Sequence, residues 1–138
     1  MSNLAELLGV KCEPLEEDGS LAAVDMAIRF ADDDYLAVYV ESVADKVRFF
    51  DDGDVLFHML NRCVKLDDRA DADFITRLTE PEGVTLNDEG ELELWADPTD
   101  ARVALMHFVS AMLAVVAWDA AATERVIMLG EKWQIVLE

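Results

Sequence analysis

The residues best suited to chemistry lie in one short segment, where acidic side chains are followed by a histidine. Asp51, Asp52 and Asp54 surround Gly53, and His58 comes four residues after Asp54, which places both on one face of a helix. A divalent-metal site requires oxygen ligands of this kind. The spacing lacks the pattern of a calcium loop, however. A tight turn with Gly53 at positive φ, and with Asp52 or Asp54 capping the next helix, explains the same residues, so we predict no metal and no cofactor.

A thiol nucleophile is the second chemistry to consider, with Cys63 and His107 as the relevant residues. A nucleophilic cysteine needs a nearby base and an activating environment. Cys63 continues the apolar face of its predicted helix, and His107 lies in a nearly apolar segment, so packing explains both. The sequence contains no nucleophile elbow, zinc-ligand spacing or phosphate-binding glycine loop. We therefore predict a protein that is not an enzyme, and keep a metal-dependent enzyme as a lesser alternative.

The charge of the chain limits its partners. The 138 residues include 30 acids and 11 bases, a net charge of −19, while 53% of the residues are hydrophobic. Such hydrophobicity argues against disorder. The negative charge argues against direct binding to nucleic acid or to an anionic membrane. We expect a single domain over residues 1–138, and a cytoplasmic location because no secretory signal begins the sequence.

The acidic residues are clustered, and nearly every cluster falls in a predicted turn or at a helix start. A net charge of about 2–8 in magnitude already keeps a small domain soluble, and repulsion among further carboxylates costs stability. A compensating use is therefore expected. Adaptation to high salt remains open as an alternative, since Asp outnumbers Glu by 17 to 13 and only 4 lysines accompany 7 arginines.

The elements that must position these residues form an α+β fold. Alternating and β-branched segments predict strands joined by short turns, which favours an antiparallel sheet of hairpins packed against helices. The predicted strands are Cys12–Glu16, Leu21–Phe30, Tyr35–Val40, Val47–Phe50, Val84–Leu86 and Glu91–Trp95. The predicted helices are a short opening helix at Asn3–Leu8 and three that begin near Asp54, Asp71 and Pro98.

The last predicted helix is apolar almost all round. Its segment from Val103 to Trp118 has 16 residues, and a bilayer core requires about 20 apolar residues, so we expect no membrane span. A helix packed under the sheet or within a homodimer explains the composition better. The first arrangement requires mostly buried side chains at Leu105, Phe108, Met112 and Val116. Gly130 is expected to end this helix or a successor.

The order of elements resembles the prokaryotic and phage family called domain of unknown function 1828. The resemblance lies in Leu15–Gly19, in the strand Tyr35–Val40, in Val47–Gly53 and in a late helix rich in Phe, Leu and Ala, here Phe108–Trp118. It implies an α+β domain without accepted catalytic residues. Members often look like products of phages or mobile elements, which favours an accessory or anti-defence role.

These observations favour a non-enzymatic inhibitor that binds the basic nucleic-acid-binding groove of a protein in a bacterial host cell. Such a groove neutralises closely spaced phosphates, and a folded acidic surface can occupy it, as DNA-mimic proteins do by analogy; anti-CRISPR or anti-restriction proteins are the natural class. An antitoxin or regulatory partner using Phe57, Phe108, Trp118 or Trp133 is the alternative. The expected contact residues combine high local charge with expected exposure: Asp32, Asp33, Asp34, Asp51, Asp52, Asp54, Asp67, Asp68, Asp71 and Asp73.

Overall fold

The computed structural model describes residues 4–30, 33–61 and 68–137, with side chains described for 4–30, 33–58, 73 and 75–121. A six-stranded antiparallel sheet has the order β1-β2-β3-β4-β6-β5. The predicted α+β class and antiparallel hairpins are confirmed. The strands are β1 Cys12–Pro14, β2 Leu21–Val24, β3 Val38–Val43, β4 Lys46–Phe50, β5 Thr85–Leu86 and β6 Leu92–Ala96; the helices are α1 Leu4–Leu8, α2 Asp54–Asn61, α3 Asp68–Thr79 and α4 Ala101–Leu137.

One predicted strand is too long. The segment Leu21–Phe30 leaves the sheet after Val24, and the chain returns only at Val38, through an irregular connection that contains an isolated bridge between Arg29 and Tyr35. The alternation reports burial only in part, because Ile28 and Phe30 are buried in the core but Met26, on the same predicted face, is exposed. Apolar spacing does not reveal whether a neighbouring strand is available for pairing.

Helix α4 covers the inner face of the sheet. Leu105, Phe108 and Met112 are buried and Val116 is half-buried, which confirms the packing predicted for this helix. Phe108 lies against Phe49 of β4, with ring centroids 6.3 Å apart. The strands supply the other side of this core, because every second side chain along a strand points to the face that α4 covers. They are Ala22, Val24, Val38, Val40, Val47, Phe49 and Leu92.

Both ends of α4 differ from the prediction. Asp97 precedes a 3-10 turn at Pro98–Asp100 with proline in its first turn, and α4 follows from Ala101. Arg102 then reaches back to α1, where its guanidinium donates to the carbonyl oxygens of Leu7 (3.1 Å) and Glu6 (3.3 Å). These are the carbonyls that a helix end leaves without an internal partner. The expected stop at Gly130 is wrong, because α4 continues to Leu137.

Candidate partner-binding surface

Strand direction brings three acidic turns to one end of the sheet. The chain reaches this end after β2, leaves it before β3, returns after β4 and passes it again between β5 and β6. Contacts between the turns support this placement: a Cβ added at Gly53 would lie 3.7 Å from the carbonyl oxygen of Gly90. We call this surface the acidic end and define it by its carboxylates: Asp33, Asp34, Asp52, Asp54, Asp88 and Glu89.

Asp51 lies behind this surface, and its expected exposure is wrong. Its side chain is fully buried. One carboxylate oxygen accepts hydrogen bonds from the backbone N–H groups of Gly53 (3.0 Å) and Leu92 (2.9 Å), and the other accepts from Val55 (3.0 Å). Burial raises the pKa of Asp51, and these three bonds oppose that rise. Asp51 therefore positions the turn and cannot contact a partner.

The turn after β4 follows the predicted backbone but not the predicted cap. Gly53 has φ 80°, and Asp52 also lies in the left-handed region with φ 57°. Asp51, rather than Asp52 or Asp54, accepts from the first turn of α2. Asp54 instead accepts a backbone hydrogen bond from Ala37, while burial and the charges of Asp51 and Asp52 raise its pKa. Asp52 is exposed and Asp54 is half-buried.

The connection from β2 to β3 meets α2 through His58. The imidazole is buried and stacks on Phe30, with ring centroids 3.7 Å apart and nearly parallel planes. Its Nδ1 lies 3.6 Å from Asp34 and its Nε2 lies 4.0 Å from the buried carboxylate of Asp119. His58 thus joins the connection, α2 and α4. Asp34 and Asp33 themselves remain exposed at the acidic end.

Asn87 shapes the third turn, between β5 and β6. Its side-chain oxygen accepts hydrogen bonds from the backbone N–H groups of Glu89 and Glu91, both at 2.9 Å. Asn87 Nδ2 also donates to the carboxylate of Glu91 (3.2 Å), so this Asx-type arrangement fixes the turn without using the carboxylates of Asp88 and Glu89. Asp88 and Glu89 are consequently exposed. These two acids complete the acidic end, although the residues selected from the sequence as contacts did not include them.

Five carboxylates of the acidic end are not paired with a described cation. Within the described part of the chain, no lysine or arginine forms an ion pair with Asp33, Asp52, Asp54, Asp88 or Glu89. Cations do lie at the same end of the sheet: Lys11 is 4.0 Å from Asp25, which directly follows β2, and Arg29 lies in the connection from β2 to β3. Lys46, in contrast, pairs with Asp97 at the opposite end.

Some of the predicted residues lie outside the part of the chain that the structure describes. They are the contact residues Asp32 and Asp67, and also Cys63. Asp68 and Asp71 belong to the backbone of α3, without described side chains, and Asp73 is exposed on the same helix. Helix α3 packs against α4 and β5. Asp73 therefore lies within a helix, whereas the acids of the acidic end lie in turns or, for Asp54, at the first residue of α2.

Arg48 is a structural centre that the sequence analysis missed. On the outer sheet face its guanidinium donates to Glu93 (2.7 Å), Glu91 (2.7 Å) and Glu41 (2.9 Å), while its Cζ lies 4.3 Å from the Phe50 ring centroid. Burial disfavours the charge, but the three carboxylates outweigh it and raise the pKa of Arg48. The signal was present in the alternation, since Glu41 and Arg48 are both outward-facing residues of paired strands.

His107 contradicts the packing explanation given to it. Its side chain is half exposed, and Nδ1 lies 2.6 Å from a carboxylate oxygen of Glu82. The apolar sequence around it does not bury it, because only one face of α4 meets the sheet. When it is protonated, His107 therefore forms a surface ion pair with Glu82. Among the described residues, no group of three His, Cys, Asp or Glu side chains could hold a metal ion.

The aromatic residues of the alternative hypothesis differ in accessibility. Phe108 is fully buried against the sheet, so it cannot serve as a contact, and Trp118 is half-buried. Trp133 lies in α4 beyond the described side chains. Phe57, at 67% exposure, is accessible to a partner. The structure therefore excludes Phe108 from the set and leaves Phe57 as its exposed aromatic.

The family comparison matches the elements that build this surface. The model of the family described as domain of unknown function DUF1828 matches residues 27–115, more than half of the chain. The chain belongs to this family. The matched region of this DUF1828 member extends from the connection before β3 to the buried part of α4, and includes all six carboxylates of the acidic end. Comparisons with curated proteins and with solved structures each found no match.

Proposed function

We propose that this DUF1828 protein is a non-enzymatic inhibitor whose acidic end occupies the basic nucleic-acid-binding groove of a protein target. The observation that carries the proposal is the convergence of three turns at one end of the sheet, with six carboxylates and no described lysine or arginine paired to five of them. A basic groove attracts such a surface for the reason that it attracts phosphates. The proposal covers DNA mimicry of the anti-CRISPR or anti-restriction kind, in the cytoplasm of a bacterial host.

The support for this surface is structural as well as electrostatic. Asp51 and Asn87 hold the turns through side-chain to backbone hydrogen bonds, so the exposed acids are not needed to stabilise those turns. Asp33 and Asp52 occupy left-handed backbone conformations that cost an L-residue about 1 kcal/mol. A surface whose backbone is already fixed loses less conformational entropy when it binds a partner.

The test begins with a partner captured from host lysate on the immobilised full chain and then purified. Binding of that partner is measured over a salt titration and in competition with duplex DNA. The test variant replaces Asp33, Asp52 and Asp88 by Asn and Glu89 by Gln. The matched control removes the same number of charges, at Glu16, Glu17, Asp45 and Asp100, which are exposed and lie toward the opposite end of the sheet.

We expect the affinity of the wild type to fall as salt rises, and duplex DNA to displace the partner. The acidic-end variant should lose at least about tenfold in affinity, because it loses four attractive charges, whereas the control should lose much less. Equal losses in both variants would mean that net charge alone acts. Affinity that is independent of salt and unchanged in the acidic-end variant would overturn the proposal.

The second predicted contact group, which consists of three acids of α3 and of Asp67 just before them in the sequence, is tested separately. Replacing Asp67, Asp68, Asp71 and Asp73 by Asn removes four charges from the second predicted contact group. A loss of affinity comparable to that of the acidic-end variant extends the binding surface to α3. An unchanged affinity confines it to the turns, since both variants change the net charge equally.

A further inference from the structure

The outer face of α4 carries an exposed apolar stripe in an acidic protein. Val103 is 57% exposed, Met106 is 70% exposed and Leu113 is 51% exposed. Ser110, Ala117 and Ala120 are exposed on the same helix. Contiguous exposed apolar patches on soluble proteins commonly mark interaction sites. We call these six residues the α4 stripe.

The spacing of the α4 stripe is that of a coiled-coil seam. Its members follow one another at intervals of three, four, three, four and three residues. This is the a/d repeat by which one helix packs against another, and it differs from the broader pattern of a helix that packs on a sheet. The opposite positions face the sheet and are buried, including Ala104, Leu105, Phe108, Ala111, Met112 and Val115.

The stripe also lacks the charge found elsewhere on the surface. Between residues 101 and 121 the single acidic residue is Asp119, and it is buried. Arg102 and His107 are the exposed groups of basic type on this part of α4. A second copy of the chain, with its net charge of −19, meets least repulsion when the two molecules approach through this face.

We propose that a second copy of this chain covers the α4 stripe, with the two α4 helices antiparallel about a two-fold axis near residues 111 and 112. In this register Val103 faces Ala120 of the other copy, Met106 faces Ala117, and Leu113 faces Ser110. Each large side chain thus meets a small one, as close packing requires. A parallel pair would instead place identical residues together, with Met106 on Met106 and Ala117 on Ala117.

The seam from Val103 to Ala120 spans about 26 Å of helix, so we expect a weak dimer rather than a permanent one. Its salt dependence has a defined sign. As salt rises, screening of like charges strengthens self-association. The proposed binding of the acidic end to a basic groove weakens under the same change. The dimer does not depend on the proposed function, and opposite salt responses separate the two.

The test measures self-association of the full chain by sedimentation over a range of concentrations and salt. Single variants M106E and A117K each place one charge in the seam at an exposed position of the monomer, so the fold is retained and is checked by circular dichroism. Each should weaken the dimer at least about 100-fold, because a charge is buried without a partner. The control F57E changes a side chain that is 67% exposed on α2 and should leave the dimer unchanged.

The double variant M106E/A117K fixes the orientation. In the antiparallel register each Glu faces a Lys of the other copy, so the dimer should recover most of what either single variant loses. In a parallel pair Glu faces Glu and Lys faces Lys, and no recovery occurs.

Pro98–Ala121 is also long and apolar enough to cross a membrane by length and composition, so vesicles of zwitterionic lipid are included. The proposal would be overturned if the wild type stays monomeric at all concentrations, if the monomer binds the vesicles, or if M106E leaves the dimer unaffected. A double variant without recovery would overturn the antiparallel register.

Discussion

The carboxylate of Asp51, at the end of β4, accepts a hydrogen bond from the backbone N–H of Leu92, at the start of β6, 2.9 Å away. The two residues are 41 positions apart. The same buried carboxylate accepts from Gly53 and Val55 in the turn that begins α2. One acidic side chain therefore joins two turns of the acidic end and completes hydrogen bonds that the sheet and the helix leave open.

Replacement of Asp51 by Ala should be strongly destabilising. Three backbone N–H groups lose their acceptor, and each buried donor left without one costs about 1–3 kcal/mol. We expect D51A to lower the free energy of unfolding by about 3–5 kcal/mol in urea denaturation. The control D52N, at the exposed neighbour, should change it by less than about 0.5 kcal/mol. Equal effects of the two variants would contradict the role assigned to Asp51.

The pH dependence of Asp51 and Glu93 should have opposite signs. Burial raises the pKa of Asp51 in the folded state, so its contribution to stability is full below the unfolded pKa and is lost as pH rises through the folded pKa. Burial also acts to raise the pKa of Glu93, but hydrogen bonds from Arg48 and Asn87 lower it overall. The contribution of Glu93 is present above its unfolded pKa and is lost as pH falls through the folded pKa.

Variants that cannot titrate make this contrast measurable. As pH rises from about 3 to 7, which spans the ordinary carboxyl range, the stability of the wild type relative to D51N should decrease. Relative to E93Q it should increase over the same interval. Urea denaturation followed by tryptophan fluorescence at each pH gives both differences, and the global acid response of the other carboxylates cancels within each pair. Differences of the same sign would refute the opposite shifts.

The contrast between Asp51 and Gly53 indicates what sequence can predict here. Gly53 was expected at positive φ because the local sequence demands a turn, and its φ is 80°. The cap was assigned to Asp52 or Asp54 because both are adjacent to the helix. The choice of Asp51 depends on Leu92, which the fold brings from a distant strand. Local turn chemistry is encoded locally, whereas the partner of a buried side chain is set by the sheet order.

The two faces of α4 give the same lesson for the surface. Hydrophobicity predicted a buried helix, and Phe108 and Met112 are indeed buried. It could not distinguish the face that meets the sheet from the face that remains exposed, because Met106 and Leu113 are equally apolar. His107 was likewise assigned to packing, but it lies on the exposed side and meets Glu82. Only the orientation of the helix against the sheet separates these residues.

Removal of Arg48 should destabilise the outer face of the sheet. Its side chain is 11% exposed, and its loss leaves Glu41, Glu91 and Glu93 close together without their cation. We expect R48A to lower the free energy of unfolding by about 2–4 kcal/mol. R48K keeps one charge but cannot donate to three carboxylates in a fixed fork, so it should recover only part of the loss. Full recovery by Lys would show that charge alone matters, not the geometry of the guanidinium.

Truncation tests whether α4 is the cover of the core. A fragment ending at residue 96 retains all six strands but loses Leu105, Phe108 and Met112, which lie against the inner face. Its exposed Val47 and Phe49 should then drive aggregation, so the fragment is expected in the insoluble fraction. A matched fragment ending at residue 121 keeps these three buried side chains of α4. It should remain soluble, with the cooperative unfolding transition of the full chain in circular dichroism. A soluble, cooperatively folded fragment of residues 1–96 would mean that the sheet does not need this helix.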